Sequence, residues 1–329
     1  MTALTSHAQP GPSRPEPTEE PLRITVLSGG PSAERDVSLE SGRAVADALT
    51  SLGHRVMRSD ISPNDLSALD ADADIIFVAL HGTFGEDGQL QRILEQRGIP
   101  FCGSGADASA RAMDKIATKR CFAATGIPTP RFDKLTAKNL DAVLPRWTAP
   151  AVLKPVAQGS SVGCHLVRDT TDLRDRAESV VREYGEAMIE ERVDGPELTV
   201  GILGRDALPP IEIRTQRDFY TYAAKYEDNQ TQYLFDIDLP PALLERAQRL
   251  GLEAFRALGC RDFGRVDWMV DSARQELFAL EVNTIPGFTS HSLLPKAAAR
   301  AGVGFAELCN QIVTFALQRK TSAIAASAT

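Results

Sequence analysis

The sequence predicts an α/β protein, and three observations carry that prediction. Strand-like and helix-like patterns alternate over the first ~110 residues, and short apolar runs separated by Gly, Pro and Asp signals fill the second half. The length of 329 residues suggests about two domains and a core that removes roughly three quarters of the unfolded surface from water.

Composition narrows the class. Apolar residues make up 43% and charged residues 24%, close to the averages for globular proteins, which excludes wholesale disorder, collagen and coiled coil. With 36 basic and 44 acidic residues the net charge is −8. No long Lys/Arg run is present, so the footprint of phosphate-backbone binding is missing and nucleic acid is not an expected partner. Five cysteines (Cys102, Cys121, Cys164, Cys260, Cys309) are odd in number and never spaced as CxxC. They indicate neither a disulfide framework nor a zinc site and fit a reducing cytoplasm. No apolar run long enough to span a membrane and no signal-peptide pattern occurs, so neither membrane insertion nor export is expected.

Residues 1–21 (MTALTSHAQPGPSRPEPTEEP) offer almost nothing to bury and read as a disordered tail. LRITVLS is a β-branched run ending at Gly29-Gly30. Ala44, Val45, Ala48, Leu49 and Leu52 then recur at helical spacing before the strand HRVM. DIIFVAL forms the next strand, Leu90, Ile93 and Leu94 mark a helix, and IPFCG reads as a short fourth strand of a parallel sheet. A helix from about Lys115 leads to GIPTP and then to the runs AVLKP, GCHLV, AMIEE and ELTVGIL. Leu243, Ala247, Leu250, Ala254 and Leu258 form an amphipathic helix with a stop at Gly259. FGRVDWMV and ELFALEV, joined at DSARQ, predict an antiparallel hairpin. The closing TSAIAASAT is small and polar and is expected to fray.

The hairpin carries the strongest chemical signal. Residues two apart on a strand share a face, so Arg265 with Asp267 and Glu281 with Asn283 converge if the strands pair. Three oxygen donors beside a guanidinium suit a hard cation next to a phosphate, with magnesium the natural candidate. A solvated face with salt bridges is the alternative for any one of them, but both strands are otherwise apolar, and burying several polar groups without a ligand is costly. Lys154 precedes the loop VAQGSSVG, in which Gly159 and Gly163 allow close backbone approach and Ser160 and Ser161 add donors, as a phosphate cradle requires.

Two look-alikes are set aside. CGSGADA spells GxGxxA, but after the fourth strand rather than in the first strand-helix unit. No GxxxxGK[ST] occurs, and Asn229-Gln230-Thr231 is a glycosylation sequon by spelling only.

Nine motifs, in order GGPSAERDVSL, ALHGTFGEDG, GSGADASARAMDK, LKPVAQGSSVG, EERVDGPELTVGILG, FYTYAAKY, FGRVD, LEVNTIPGFTSHSLLP and GVGFAEL, resemble the D-alanyl-D-alanine ligase family of the ATP-grasp superfamily. The resemblance covers about residues 22–318. It implies an ATP-grasp fold behind an N-terminal parallel α/β domain, divided as 22–113, 114–204 (a small central α+β subdomain) and 205–319 (metal site and a mobile loop at about 215–233), with a flexible tail at 320–329. It also implies a homodimer.

The reaction implied phosphorylates the carboxylate of one D-alanine with ATP, and the amine of a second D-alanine then attacks the acyl phosphate. By resemblance, Asp267, Glu281 and Asn283 hold two Mg²⁺ ions, with Mn²⁺ as a substitute and K⁺ as an activator. Lys115, Lys154 and Lys225 meet the ATP phosphates, while Glu190, Glu191, Val193 and Glu197 hold adenine and ribose. Glu34 matches the carboxylate that receives the first substrate's ammonium group, although the residues alone read it as a helix-start acid. Ser160 and Tyr226 complete a Glu-Ser-Tyr link that closes the loops. His81 matches a first-subsite histidine, with a structural role as its alternative. Arg265 and the Gly287 N–H match oxyanion donors. Ser292 and Leu293 open a helix suited to the second substrate's carboxylate, Ser292 also reading as a plain N-cap.

Gln158, Ala224 and Trp268 depart from the family pattern without removing a catalytic group. Retention of Tyr226 resembles the dipeptide-forming ligases. A D-lactate or other acceptor is the nearest alternative, and a non-catalytic nucleotide-binding protein is the alternative of a different class.

Overall fold

The computed structural model describes residues 20–215 and 231–327. The N-terminal unit alternates β1 (Arg23–Ser28), α1 (Arg35–Ser51), β2 (Arg55–Asp60), β3 (Ile75–Val78) and α2 (Gln89–Gln96). Its strands lie in the order β2-β1-β3, all parallel, with Arg23 opposite Arg55 and Ile24 opposite Ile75. Helix α1 buries Val45 and Leu49 against Ile24, Val26 and Phe77 on one face of the sheet. Helix α2 buries Leu90 and Leu94 against Ile76 and Val78 on the other. β1 and β3 are therefore covered on both sides and read as continuous apolar runs, whereas β2 at the edge stays largely exposed.

The fourth strand expected at IPFCG contracts to a single parallel bridge between Ile76 and Phe101. Pro100 has no N–H to give the ladder, and Gly103, at φ +98, turns the chain away two residues later. Helix α3 (Ala106–Met113) follows, and its glycine-rich entry is filled by the protein's own groups. The Gly103 N–H donates to Asp262 and the Ala106 N–H to Glu95. The GxGxxA spelling is thus a packing turn.

Helix α4 (Lys115–Thr125) leads into a four-stranded antiparallel sheet in the order β4-β7-β5-β6. Its strands are β4 (Phe132–Thr136), β5 (Ala151–Pro155), β6 (His165–Val167) and β7 (Glu186–Glu191), with α5 (Leu140–Val143) and α6 (Leu173–Tyr184) between them. Ala151, Leu153, Ala187 and Ile189 point to one face, where α6 packs with Leu173, Ala177, Val180 and Val181. The opposite face carries Lys154, Met188 and Glu190, and α4 lies over it through Ile116, which meets Val156 and Met188.

The third unit is a six-stranded antiparallel sheet, β11-β10-β8-β12-β13, with β9 also on β8. Its strands are β8 (Glu197–Leu203), β9 (Asp206–Ala207), β10 (Ile211–Arg214), β11 (Gln232–Leu234), β12 (Phe263–Asp271) and β13 (Glu276–Asn283). Strand β8, inside the 114–204 segment, hydrogen-bonds to β10 and β12 rather than to the four-stranded sheet. Helix α7 (Pro241–Ala257) covers one face with Leu243, Ala247, Leu250 and Ala254, and Gly259, at φ +79, turns the chain after it. Helices α8 (Leu293–Arg300) and α9 (Phe305–Ser327) join the core that the sheet shares with α1. The expected fraying tail is helical backbone through Ser327, consistent with the high helix propensity of its alanines. Among the described residues no helix is long and apolar enough to cross a membrane.

Three phenylalanines join the first unit to the third. Phe77 of β3, Phe263 at the start of β12 and Phe288 in the loop after β13 stack or meet edge-on, with ring centroids 5.4–6.1 Å apart. The Phe288 N–H also donates to Ser41 Oγ on α1 at 3.1 Å. Replacing Phe288 with Ala should cost about 3–5 kcal/mol, as truncating a buried aromatic does. It should also loosen the 285–289 loop. The urea midpoint of the variant measures this, and a loss under about 1 kcal/mol would show that the trio does not hold the two units together.

Candidate active site

The hairpin of β12 and β13 places Arg265 opposite Asn283 and Asp267 opposite Glu281, so the four expected side chains share one face. A bulge follows between Asp267 and Trp268. Trp268 is fully buried in the apolar cluster under α7, so its departure from the family pattern is absorbed by the core and does not reach the site. Arg265 donates through Nε and Nη2 to the two Asp267 oxygens, each at 2.8 Å, and Thr199 Oγ1 on β8 donates to Asp267 Oδ1 at 2.6 Å. This bidentate fork neutralises both groups in a place where each is nearly inaccessible to water. Asn283 Oδ1 accepts from the Ile285 N–H at 3.2 Å, which fixes the amide's orientation.

Two carboxylates and one amide oxygen make a donor set of the kind that holds Mg²⁺, which takes one or two protein carboxylates and leaves the remaining positions to substrate phosphates and water. Among the described residues no cluster of three His, Cys, Asp or Glu side chains could hold a metal without such help. The chemistry of these oxygen donors fits a hard cation such as Mg²⁺.

Helix α4 supplies two lysines one turn apart, each aimed at a different sheet. Asp114 caps the helix by accepting from the Ala117 N–H at 2.9 Å. Lys115 Nζ lies 3.1 Å from Glu281 Oε2 on β13 and donates to the Gln158 carbonyl at 2.8 Å. Only the backbone of Gln158 is used in that bond. Lys119 Nζ lies 2.5 Å from Glu190 Oε2 on β7, and the other oxygen of Glu190 is paired with Lys154 Nζ. Burial opposes ionisation of Glu190, but the two ammonium groups outweigh it and draw its pKa down to about 2. Burial pulls Lys119 down to about 8, whereas the pull of Glu190 outweighs burial at Lys154 and raises it. Lys119 escaped the reading of the sequence, although its spacing of four from Lys115 on a predicted helix was a usable signal.

Glu34 stands at the N-cap position of α1, yet its side chain caps nothing. Its carboxylate accepts instead from Ser160 Oγ at 2.5 Å, across the gap between the first unit and the β5–β6 loop. Ser160 and Ser161 both hold positive φ, +50 and +56, a conformation that costs free energy in any residue other than Gly. His81 is buried, with Nδ1 3.1 Å from the Ile285 carbonyl and 3.6 Å from Glu86 Oε1, and Nε2 3.3 Å from Ser41 Oγ. Burial disfavours its protonation, but Glu86 and Glu34 outweigh that and hold its pKa above the usual value. Glu86, unremarked in the sequence though it lies within ALHGTFGEDG, is thus the partner that orients the histidine.

Ser292 occupies the N-cap position of α8 without capping it. Its hydroxyl turns back to accept from the Thr289 N–H at 3.0 Å, so the plain N-cap reading is corrected. The turn from Thr289 to Ser292 competes for the same oxygen.

These groups line two cavities. The smaller, about 80 Å³, takes in Glu34, His81, Ser160, Arg265, Asn283, Gly287, Ser292 and Leu293. The larger, about 380 Å³, takes in Lys154, Glu190, Glu191, Val193, Glu197 and Asp267. Lys115 and Glu281 line both, so their ion pair is the partition between the two spaces. Lys225 and Tyr226, with most of the expected 215–233 loop, lie outside the described residues.

Comparison with known proteins identifies the family. A family model described as D-ala D-ala ligase C-terminus matches residues 121–314, and one described as D-ala D-ala ligase N-terminus matches residues 54–104. A D-alanine–D-alanine ligase of Marinobacter nauticus is 44% identical over 316 residues, covering 95% of this chain and 97% of its own. The crystal structure of D-alanine–D-alanine ligase from Bacillus anthracis complexed with ATP is similar at a TM-score of 0.79 and 34% identity, over 92% of this chain and 99% of that one. The VanG D-Ala:D-Ser ligase of Enterococcus faecalis matches at a TM-score of 0.80 and 27% identity, over 90% and 100%. The match of the family models and identity of this extent over nearly the whole chain lead to one conclusion: the chain belongs to the D-alanine–D-alanine ligase family.

Proposed function

We propose that this protein uses ATP to join two D-alanine molecules into D-alanyl-D-alanine, with release of ADP and phosphate, in the supply of peptidoglycan precursors in the cytoplasm. The observation that carries the proposal is the meeting of a nucleotide-sized cavity with an amino-acid-sized one at the Lys115–Glu281 pair, in a chain 44% identical to a named ligase. At about 380 Å³ the larger space falls in the range of small-ligand sites.

In this reading ATP lies in the larger cavity. Glu190, Glu191, Val193 and Glu197 surround its adenosine end, and Lys154 and Lys115 face its phosphates. Asp267, Glu281 and Asn283 would hold Mg²⁺, which supplies neutralisation of the charge that builds on the transferring phosphoryl group. The first D-alanine lies in the smaller cavity with its ammonium group toward Glu34, and its carboxylate takes the γ-phosphoryl group at the partition. The amine of the second D-alanine then attacks the D-alanyl phosphate carbon. That attack forms the C–N bond and a tetrahedral centre whose oxygen gains negative charge; the C=O bond then re-forms as the C–O bond to phosphate breaks, and the proton lost from the amine is taken up by the departing phosphate. Arg265 and the Gly287 N–H are the donors facing that oxygen, and the amide end of α8, which the Ser292 side chain leaves uncapped, faces the second carboxylate. The Glu34–Ser160 bond joins two units across the mouth of the cleft and keeps water from the acyl phosphate.

Purified protein with Mg-ATP tests the proposal through ADP release and product mass, with D-alanine, L-alanine, or D-alanine plus D-lactate. ADP release that requires D-alanine and yields the D-alanyl-D-alanine mass is expected. A mixed product with D-lactate would replace the acceptor, and no D-alanine dependence despite ATP binding would remove the substrate assignment. Arg265→Ala should lower turnover about 10²-fold or more, as loss of an oxyanion donor does; near-normal turnover would take Arg265 out of the chemistry. Glu34→Gln should raise the KM for D-alanine at the first subsite far more than the KM for ATP. Equal changes in both would make Glu34 a structural residue that serves only to hold Ser160.

A further inference from the structure

Lys119 is fully buried, and so is the carboxylate it faces. Among the described residues, neither Lys119 Nζ nor Glu190 Oε2 has a hydrogen-bond partner beyond the contact between them. The other Glu190 oxygen is held by Lys154, which lines the larger cavity beside Glu190. Lys119 itself does not line that cavity. The arrangement is therefore asymmetric: one lysine faces the ligand space, and the other lies behind the carboxylate.

A buried carboxylate that loses its partner incurs a large desolvation cost. If Lys154 were the sole counter-charge of Glu190, drawing it toward a bound phosphate would strand Glu190, and that cost would be charged against nucleotide affinity. With Lys119 in place the carboxylate stays paired after Lys154 departs, and the oxygen that Lys154 vacates becomes a free acceptor at the cavity wall. We propose that Lys119 is a positioning residue for nucleotide binding: it is the standing counter-charge of Glu190, and it allows Lys154 to exchange from that carboxylate to an anionic phosphate. The proposal rests on the reading of the larger cavity as the nucleotide site.

Helix geometry supports the division of labour. Lys115 and Lys119 are one turn apart on α4, so the residue that pairs with β13 and the residue that pairs with β7 are held by one rigid element. Ile116 and Phe122, buried in two different apolar clusters, fix that element on both sides. Lys119 therefore stays with Glu190 whichever partner Lys154 takes.

The test is calorimetric titration with Mg-ATP, without D-alanine, of the full-length wild type, Lys119→Met, Glu190→Gln and the double variant. Lys119→Met should weaken ATP binding at least about tenfold, since it makes every departure of Lys154 strand a buried charge. With the neutral amide of Glu190→Gln in place no counter-charge is required, so the double variant should bind ATP about as well as Glu190→Gln alone, a non-additive cycle. A double variant much weaker than Glu190→Gln would overturn the proposal, and that comparison holds even if Lys119→Met alone fails to fold. Additive losses, or a Lys119→Met variant that folds and binds ATP normally, would also overturn it and leave Lys119 a core residue. Because the readout is ATP binding without D-alanine, a wild type that binds ATP yet fails to ligate D-alanine would refute the function and leave this inference standing.

Discussion

The rule that a buried cation must face an anion governs the centre of this molecule, and helix α4 is where it is enforced. Its two lysines reach carboxylates on two different sheets, Glu281 of β13 and Glu190 of β7. Among the described residues no strand of one sheet pairs with a strand of the other, so the relative placement of the two walls of the larger cavity depends on what lies between them. Ion pairs of this kind add little net stability when compared with an apolar core of the same shape, but they are costly to break singly. They consequently act as registration marks: a shift of either sheet by a few ångströms would leave a charge unpaired in an apolar surround.

The hairpin solves a related problem with backbone alone. Antiparallel pairing with Asp267 opposite Glu281 and Arg265 opposite Asn283 brings four polar side chains to one face, and the bulge after Asp267 ends that arrangement before Trp268. Arg265 satisfies both Asp267 oxygens. The buried charges of the hairpin thus neutralise one another within the protein. Glu281 with Lys115 follows the same logic, while Glu34 accepts a hydrogen bond from the neutral hydroxyl of Ser160.

Much of this was legible in the sequence because period-two alternation is a local property. The shared face of Arg265 and Asp267 follows from strand geometry, and the α7 spacing follows from helix geometry. The nine motifs then supplied roles that no periodicity contains. What stayed hidden was non-local or competitive. Lys119 means nothing until β7 brings Glu190 beneath it, and Glu86 means nothing until His81 is folded against it. IPFCG had the composition of a strand, but Pro100 and Gly103 leave it one bridge. Ser292 had the identity and position of a cap, and lost its oxygen to the turn at Thr289. In both cases a local preference was overruled by a neighbour three residues away or fewer.

The side chains of Lys115 and Glu281 line both cavities and meet between them. For inhibitor chemistry this turns two modest pockets into one elongated one. A single molecule with an anionic centre placed between an adenine-like end and an amino-acid-like end could take over Lys115 from Glu281 and occupy both spaces at once. Its second half would then bind as an intramolecular event, at the high effective concentration that a short linker provides. Resistance to such a compound by substitution of Lys115 would also leave Glu281 without the ammonium group it pairs with.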